Sequence, residues 1–157
     1  MRKRRILTNN AVYHVTARAN RGEMIFHCPA MRQLFLKILK QAKQKYGFSV
    51  HNFCIMGNHV HLIIRPSRKG SLSKIMQRVL GLFARAWNKA HFVKGHVWGG
   101  RFFSKIIDRF IDFLRAFDYV SRNPVQAQLV KSAGERESGG IRHFITRKQE
   151  ILDTPFA

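Results

Sequence analysis

Cys54-Ile55-Met56-Gly57-Asn58-His59-Val60-His61-Leu62-Ile63-Ile64 is the stretch on which the fold turns. It reads as the end of one strand, a Gly57-Asn58 turn, and a second strand that begins His-Val-His. Alternation along a strand sends His59 and His61 to one face and Val60, Leu62 and Ile64 to the other. Two imidazoles side by side on a rigid strand are placed to chelate one metal ion. The same pair is also compatible with two histidines simply satisfied on a half-buried sheet.

Working outward, residues 11–18 alternate as a strand, with Tyr13, Val15 and Ala17 on one face and His14, Thr16 and Arg18 on the other. Pro29 opens a helix whose apolar positions Leu34, Phe35, Ile38, Leu39 and Ala42 recur at helical spacing, and Gly47 closes it. Beyond the hairpin, Ser71 caps a second helix. Its inward side is Ile75, Met76, Val79, Leu82, Phe83 and Ala86, and its outward side is Lys74, Arg78, Arg85 and Lys89. A connector with Gly95, Gly99 and Gly100 leads to a strand at about 102–107 and then to a third helix. The order β-α-β-β-α-β predicts an α+β, ferredoxin-like antiparallel sheet with helices on one face, followed by an additional C-terminal helix. In that arrangement the first and third strands are central neighbours, and His14, Thr16 and Arg18 lie beside His59 and His61.

The third helix carries the second chemical signal. Phe110, Phe113, Leu114, Phe117 and Val120 form a stripe expected to face the core. Tyr119 falls on the opposite side, among Asp108, Asp112, Arg115 and Arg122. Asn123 follows one turn later, before Pro124, where the helix is expected to end because the residue before proline avoids the α region. An outward phenol beside an amide, together with a strand-borne histidine pair, suits metal-assisted attack by a tyrosine on a phosphodiester.

Composition points to a polyanionic partner. The 157 residues hold 29 Lys+Arg against 8 Asp+Glu, a formal charge of +21, and 45% hydrophobic content with 13 phenylalanines supplies a core. Such an excess repels itself unless a polyanion offsets it, and the phosphate backbone of a nucleic acid is the expected partner. No long basic amphipathic segment favours a membrane surface, and no run of 18 apolar residues or apolar segment after Met1–Arg5 appears. Two cysteines, Cys28 and Cys54, suggest a reducing compartment, so a cytoplasmic location is expected. One domain over 1–157 is expected: a basic arm over 1–10, a catalytic core over 11–130, and a Ser/Gly-rich loop with a short apolar tail over 131–157. Arg2, Lys3, Arg4 and Arg5 either track a phosphate backbone or form a solvated terminus. The face with Arg78 and Arg85 is likewise either a DNA contact or a solvated helix surface. Trp98 either stacks on an unpaired base or anchors the core.

Several stretches together resemble the single-tyrosine HUH transposases, in particular the REP-associated tyrosine transposases. They are Tyr13-His14-Val15-Thr16-Ala17-Arg18-Ala19-Asn20-Arg21, Met56 through Ile63, Trp98 through Ile107, and Tyr119-x-x-x-Asn123-Pro124-Val125. The resemblance runs in order from Val12 to Val130. It implies that His59 and His61 bind the metal, that Tyr119 is the nucleophile, and that Asn123 stands at the polar third-ligand position. Gly57 replaces the proline usual in this subgroup, and Asn123 replaces the glutamine of better-known insertion-sequence members. The resemblance further implies Mg²⁺ or Mn²⁺, a 5′-phosphotyrosine intermediate, and single-stranded or hairpin DNA as partner. Contacts to that DNA are expected from the basic arm, His14, Arg18, Arg21, Arg78, Arg85, Trp98, Arg115 and Arg122. A phenol ionises near pH 10, so a cation with Arg115 and Arg122 is expected to favour the phenolate. The family includes both dimers that exchange the tyrosine helix and monomers, which leaves a homodimer open. The alternative is a non-catalytic ferredoxin-like module that binds single-stranded nucleic acid by stacking.

Overall fold

Alternation in the first strand and the helical spacing after Pro29 produce β1 (Val12–Arg18) and α1 (Pro29–Tyr46). Gly47 ends α1 at φ 65°, a left-handed conformation that glycine adopts without steric cost. The hairpin is β2 (Ser49–Ile55) and β3 (His59–Arg65), followed by α2 (Leu72–His91), whose first turn is capped by Ser71 Oγ accepting from the Lys74 N–H at 3.4 Å. Next come β4 (Phe103–Ile107), α3 (Phe110–Gln126) and a short α4 (Gly140–Ile145). This computed structural model describes residues 4, 7–8, 10–146 and 151–153. Of the basic arm, Arg4 is exposed, while Arg2, Lys3 and Arg5 lie outside the described residues.

The four strands form one antiparallel sheet in the order β2-β3-β1-β4, the ferredoxin-like arrangement expected from the element order. Tyr13, Val15, Ala17, Val60, Leu62 and Ile64 pack on one face against Phe35, Ile38 and Leu39 of α1 and Ile75, Val79 and Phe83 of α2. A register shift between Val50 and Asn52 lets β2 keep Val50, Phe53 and Ile55 on that face while His51, Asn52 and Cys54 serve the other.

The other face belongs to α3, but only in part. Val120 is buried with Val12, Cys54, Met56 and Ile63, and Phe113, Ala116 and Phe117 pack around them. Phe110 and Leu114, expected in the core, are 60% and 44% exposed. The stripe that packs is Phe113, Phe117, Val120 and Pro124, and Phe110 and Leu114 lie at its margin. Pro124 does not end α3. It is buried within the last turn, and the helix continues to Gln126.

The Ser/Gly-rich stretch after Val130, expected as a loop, closes the free edge of β2. The Ile55 N–H donates to the Ser138 carbonyl at 2.9 Å, Gly139 bridges Cys54, and the Asp153 N–H donates to the Val50 carbonyl at 2.8 Å. A Cβ at Gly140 would collide with the Asn52 amide, so glycine is what permits this approach. Covering an edge strand in this way removes a site for unwanted pairing.

Candidate active site

Because β1 and β3 are paired, Thr16 stands opposite His61 and Arg18 opposite His59, and opposed residues share a face. The expected meeting of the two strands' polar residues therefore occurs. His61 is 2% exposed, and its Nδ1 lies 3.1 Å from both His14 Nε2 and Thr16 Oγ1. His59 Nδ1 lies 2.7 Å from Asn58 Oδ1, and the Asn123 amide hydrogen-bonds the same imidazole. The turn that carries His59 is braced from outside: the Phe26 N–H donates to the Gly57 carbonyl at 3.0 Å, and the Ala19 N–H to the Asn58 carbonyl at 2.8 Å.

Tyr119 is 46% exposed and stands at the margin of the covered half of the sheet. It does not point away from the protein. Its ring meets His61 edge-on at 5.5 Å between centroids and His14 at 5.8 Å. Relative to the buried centre of α3, Tyr119 and Asn123 lie about 120° and 80° around to one side, and Ser121 about 80° to the other. Ser121 meets Asn52, a fully buried residue of β2. Asn52 Nδ2 donates to Ser121 Oγ at 2.9 Å and to the Phe117 carbonyl at 3.1 Å. That clamp fixes the rotation of α3 and so aims Tyr119 and Asn123 at the histidines. Sequence reasoning missed Asn52; its one signal is a lone amide in an otherwise apolar stretch.

The electrostatics keep the imidazoles neutral. Burial, then the His59, His14 and Arg18 charges, lower the His61 pKa to about 3. Burial and Arg18 lower His59 to about 4, against a smaller opposing effect of the Asn123 hydrogen bond. His14 is lowered by burial and Lys105. Neutral imidazole is the metal-binding form. With Nδ1 of His61 engaged, its Nε2 is left buried and without a hydrogen-bond partner. Such an orphan ring nitrogen is costly unless a ligand satisfies it. Among the described residues no group of three or more His, Cys, Asp or Glu side chains is disposed to hold a metal. The donor set on offer is two imidazoles and the Asn123 amide, which fits a divalent cation with open positions.

The remaining expected residues divide by location. Arg18 is exposed and lines an open groove of about 420 Å³ with His14, Thr16, His61, Phe103 and Tyr119. Arg21 is exposed in the 3₁₀ turn just after β1. Arg115 and Arg122 flank Tyr119 on α3 but are paired with Asp112 at 3.6 Å and Asp118 at 2.8 Å. Arg78 and Arg85 sit on α2, behind the sheet from Tyr119. Trp98 requires correction. Its Nε1–H donates to the Leu80 carbonyl at 2.9 Å and its ring packs on Phe26, Phe35 and Phe83, so it anchors the core and offers no stacking platform. A larger cavity of about 550 Å³ between α1 and α4 touches none of the residues around Tyr119.

Comparison with known proteins agrees with this fold. A REP-associated tyrosine transposase solved bound to a REP hairpin superposes with a TM-score of 0.79 at 19% identity, covering 100% of this chain and 91% of the other. A transposase-like protein of Deinococcus radiodurans R1 gives a TM-score of 0.53 at 15% identity over 82% of this chain and 94% of its own. At such identities the likeness establishes the fold. No curated protein sequence matches significantly. The family model for IS200-like transposases matches residues 7–123. The chain therefore belongs to the IS200-like transposase family.

Proposed function

We infer that this transposase cleaves and rejoins single-stranded or hairpin DNA by attack of Tyr119 on a phosphodiester. The observation that carries this reading is the edge-on contact of Tyr119 with His61, whose Nε2 is buried and unpartnered. Arg18, exposed beside both histidines, attracts the phosphate into the groove. Tyr119 Oη, losing its proton, bonds to phosphorus. The P–O3′ bond breaks, its electron pair leaves with the 3′ oxygen, which is protonated, and the 5′ side remains as a phosphotyrosine ester. Attack on that ester by the 3′-hydroxyl of another strand reverses the step, so rejoining needs no external energy.

His59, His61 and Asn123 are the residues that would hold a divalent cation, Mg²⁺ or Mn²⁺, which when bound polarises a non-bridging phosphate oxygen. His14 and Thr16 hold His61 through Nδ1, and Asn58 holds His59, so both rings are oriented beforehand. Two imidazoles suit Zn²⁺, Ni²⁺ or Co²⁺ as well, so the identity of the metal is set by availability as much as by the site. The hairpin bound to the related transposase, together with the +21 charge, supports hairpin DNA as substrate. Within one chain Tyr119 meets His14 and His61, the contact that action in cis requires.

The test is a denaturing gel with labelled hairpin DNA and Mn²⁺. Wild type should give a shifted, protease-sensitive band and Tyr119→Phe none. An adduct with the Phe variant would overturn the nucleophile, and equal cleavage in chelator would remove the cation. Salt-sensitive binding without any adduct would identify a binding module instead.

A further inference from the structure

α3 packs on β2, on β3 and on the Val12 and Ile107 ends of β1 and β4, and leaves the Thr16, Arg18 and Phe103 ends of those two strands open on the same face. Phe103 lies in that open part. It is opposite Thr16 in the register, so its ring projects from the face that carries His14, Thr16 and Arg18. It lines the groove that contains Tyr119 and is 63% exposed. Its strand is at the end of the sheet order, with no further strand beside it among the described residues. Lys105, opposite His14, and Arg18 place positive charge on either side of the ring. A large apolar ring left in water between two cations is surface that a stacked base would bury. It is also the arrangement by which sheet surfaces hold single strands, with aromatic rings for the bases and cations for the backbone.

We propose that Phe103 is a stacking platform for one unpaired base next to the phosphate presented to Tyr119. The occupant is a nucleobase of the strand in the groove, and any of the four bases satisfies it, because each has a π-face. Phe103 acts as a positioning residue: it sets which phosphate reaches Tyr119 and takes no part in the bond changes. The proposal rests on the reading that a DNA strand crosses this groove, and it assigns here the role that the sequence suggested for Trp98.

The experiment measures affinity by fluorescence anisotropy for short single-stranded oligonucleotides, including a series with one abasic position each. Phe103→Ala should weaken binding of the intact strand about 5- to 150-fold, while Phe103→Trp keeps affinity within a few-fold of wild type. With the abasic site at one particular position, wild type and Phe103→Ala should bind equally. The exposed ring should be dispensable for folding, so the thermal midpoint stays unchanged and separates lost stacking from lost structure. Affinity of Phe103→Ala within twofold of wild type, or an equal loss on every abasic strand, would overturn the proposal. So would a change in sedimentation with DNA affinity unaltered, since that would assign the ring to self-association. Adduct formation by wild type in the same reactions reports separately on Tyr119. An adduct with a Phe103-insensitive affinity removes the platform alone, and a Phe103-sensitive affinity without adduct removes the tyrosine chemistry alone.

Discussion

Acidification of the metal-free protein provides a quantitative probe of His61. Its neighbours are all basic or neutral: His14, Thr16 and Arg18 on β1, His59 on β3, and Tyr119 on α3. Burial and those charges hold its folded pKa at about 3, against about 6.5 in the unfolded chain. A depressed folded pKa means that the unfolded chain binds the proton first, so stability is full above pH 6.5 and is lost as pH falls toward 3. Between pH 7.5 and pH 5, about 1.5 pH units of this window are crossed. At about 1.4 kcal/mol per unit, His61 alone costs the native state about 2 kcal/mol. Urea unfolding in EDTA at the two pH values reads this directly, as a midpoint shift of roughly 1 M at an m-value near 2 kcal/mol per molar. His61→Gln removes the titrating group and keeps a polar side chain beside Thr16. Wild type should therefore lose about 2 kcal/mol more than the variant over that interval. Equal losses would refute the argument, because they would mean that His61 protonates in the native state without penalty.

The clamp between β2 and α3 yields a second expectation. Asn52→Ala leaves the Phe117 carbonyl and Ser121 hydroxyl without their amide partner and should cost about 2–3 kcal/mol in urea unfolding, with adduct formation slowed more than DNA affinity is weakened. Unchanged stability would show that α3 is held by its apolar contacts alone. A third concerns Cys54, whose thiol burial pushes up to about 12. At pH 8.5 iodoacetamide should label half-buried Cys28 well before Cys54, by peptide mass analysis, with Cys54 reacting only on unfolding. Equal labelling rates in the native protein would contradict that burial.

The central sheet was legible because alternation in β1 and β3 and the caps at Gly47 and Ser71 are local facts with few alternatives. The meeting of the His14, Thr16 and Arg18 face with His59 and His61 followed once the element order gave β1 and β3 as neighbours, and the structure adds the register, Thr16 opposite His61. What the sequence did not reveal depends on extent and on distant partners. Helical spacing assigns Phe110 and Phe113 to one stripe, but it does not say how much of a helix lies over a sheet, and Phe110 lies at the margin. Gly139 and Gly140 carry the composition of a loop, yet the missing side chain is what lets the backbone reach Asn52 and Cys54. Asn123 before Pro124 resembled a helix end. The buried proline ring compensates locally for the hydrogen bond its nitrogen cannot make, and α3 runs on to Gln126. For Trp98 the sequence leaves open a stacking platform or a core anchor, and only the fold shows its Nε1–H turned to Leu80.

The partial covering of the sheet accounts for several of these features at once. A helix lying fully across the sheet would cover the β1–β4 half and close the groove in which Tyr119, Arg18 and Phe103 meet. A helix lifted from it would lose the Asn52 clamp and Val120 burial, and with them the contact of Tyr119 with His14 and His61. The observed position keeps the ring of Tyr119 against the histidines and leaves about half of its surface to an incoming strand. The exposure of Phe110 and Leu114 is then a consequence of where the clamp sits. Asn52 engages Phe117 and Ser121 and so turns the Phe113, Phe117 and Val120 side of α3 onto the sheet, which leaves Phe110 and Leu114 at its margin whatever their hydrophobicity. On this argument, replacing Phe110 and Leu114 with polar residues should leave the Tyr119 adduct rate nearly unchanged, whereas Ser121→Val should lower it. The reverse pattern would mean that the apolar stripe, and not the buried amide, sets the register of the nucleophile.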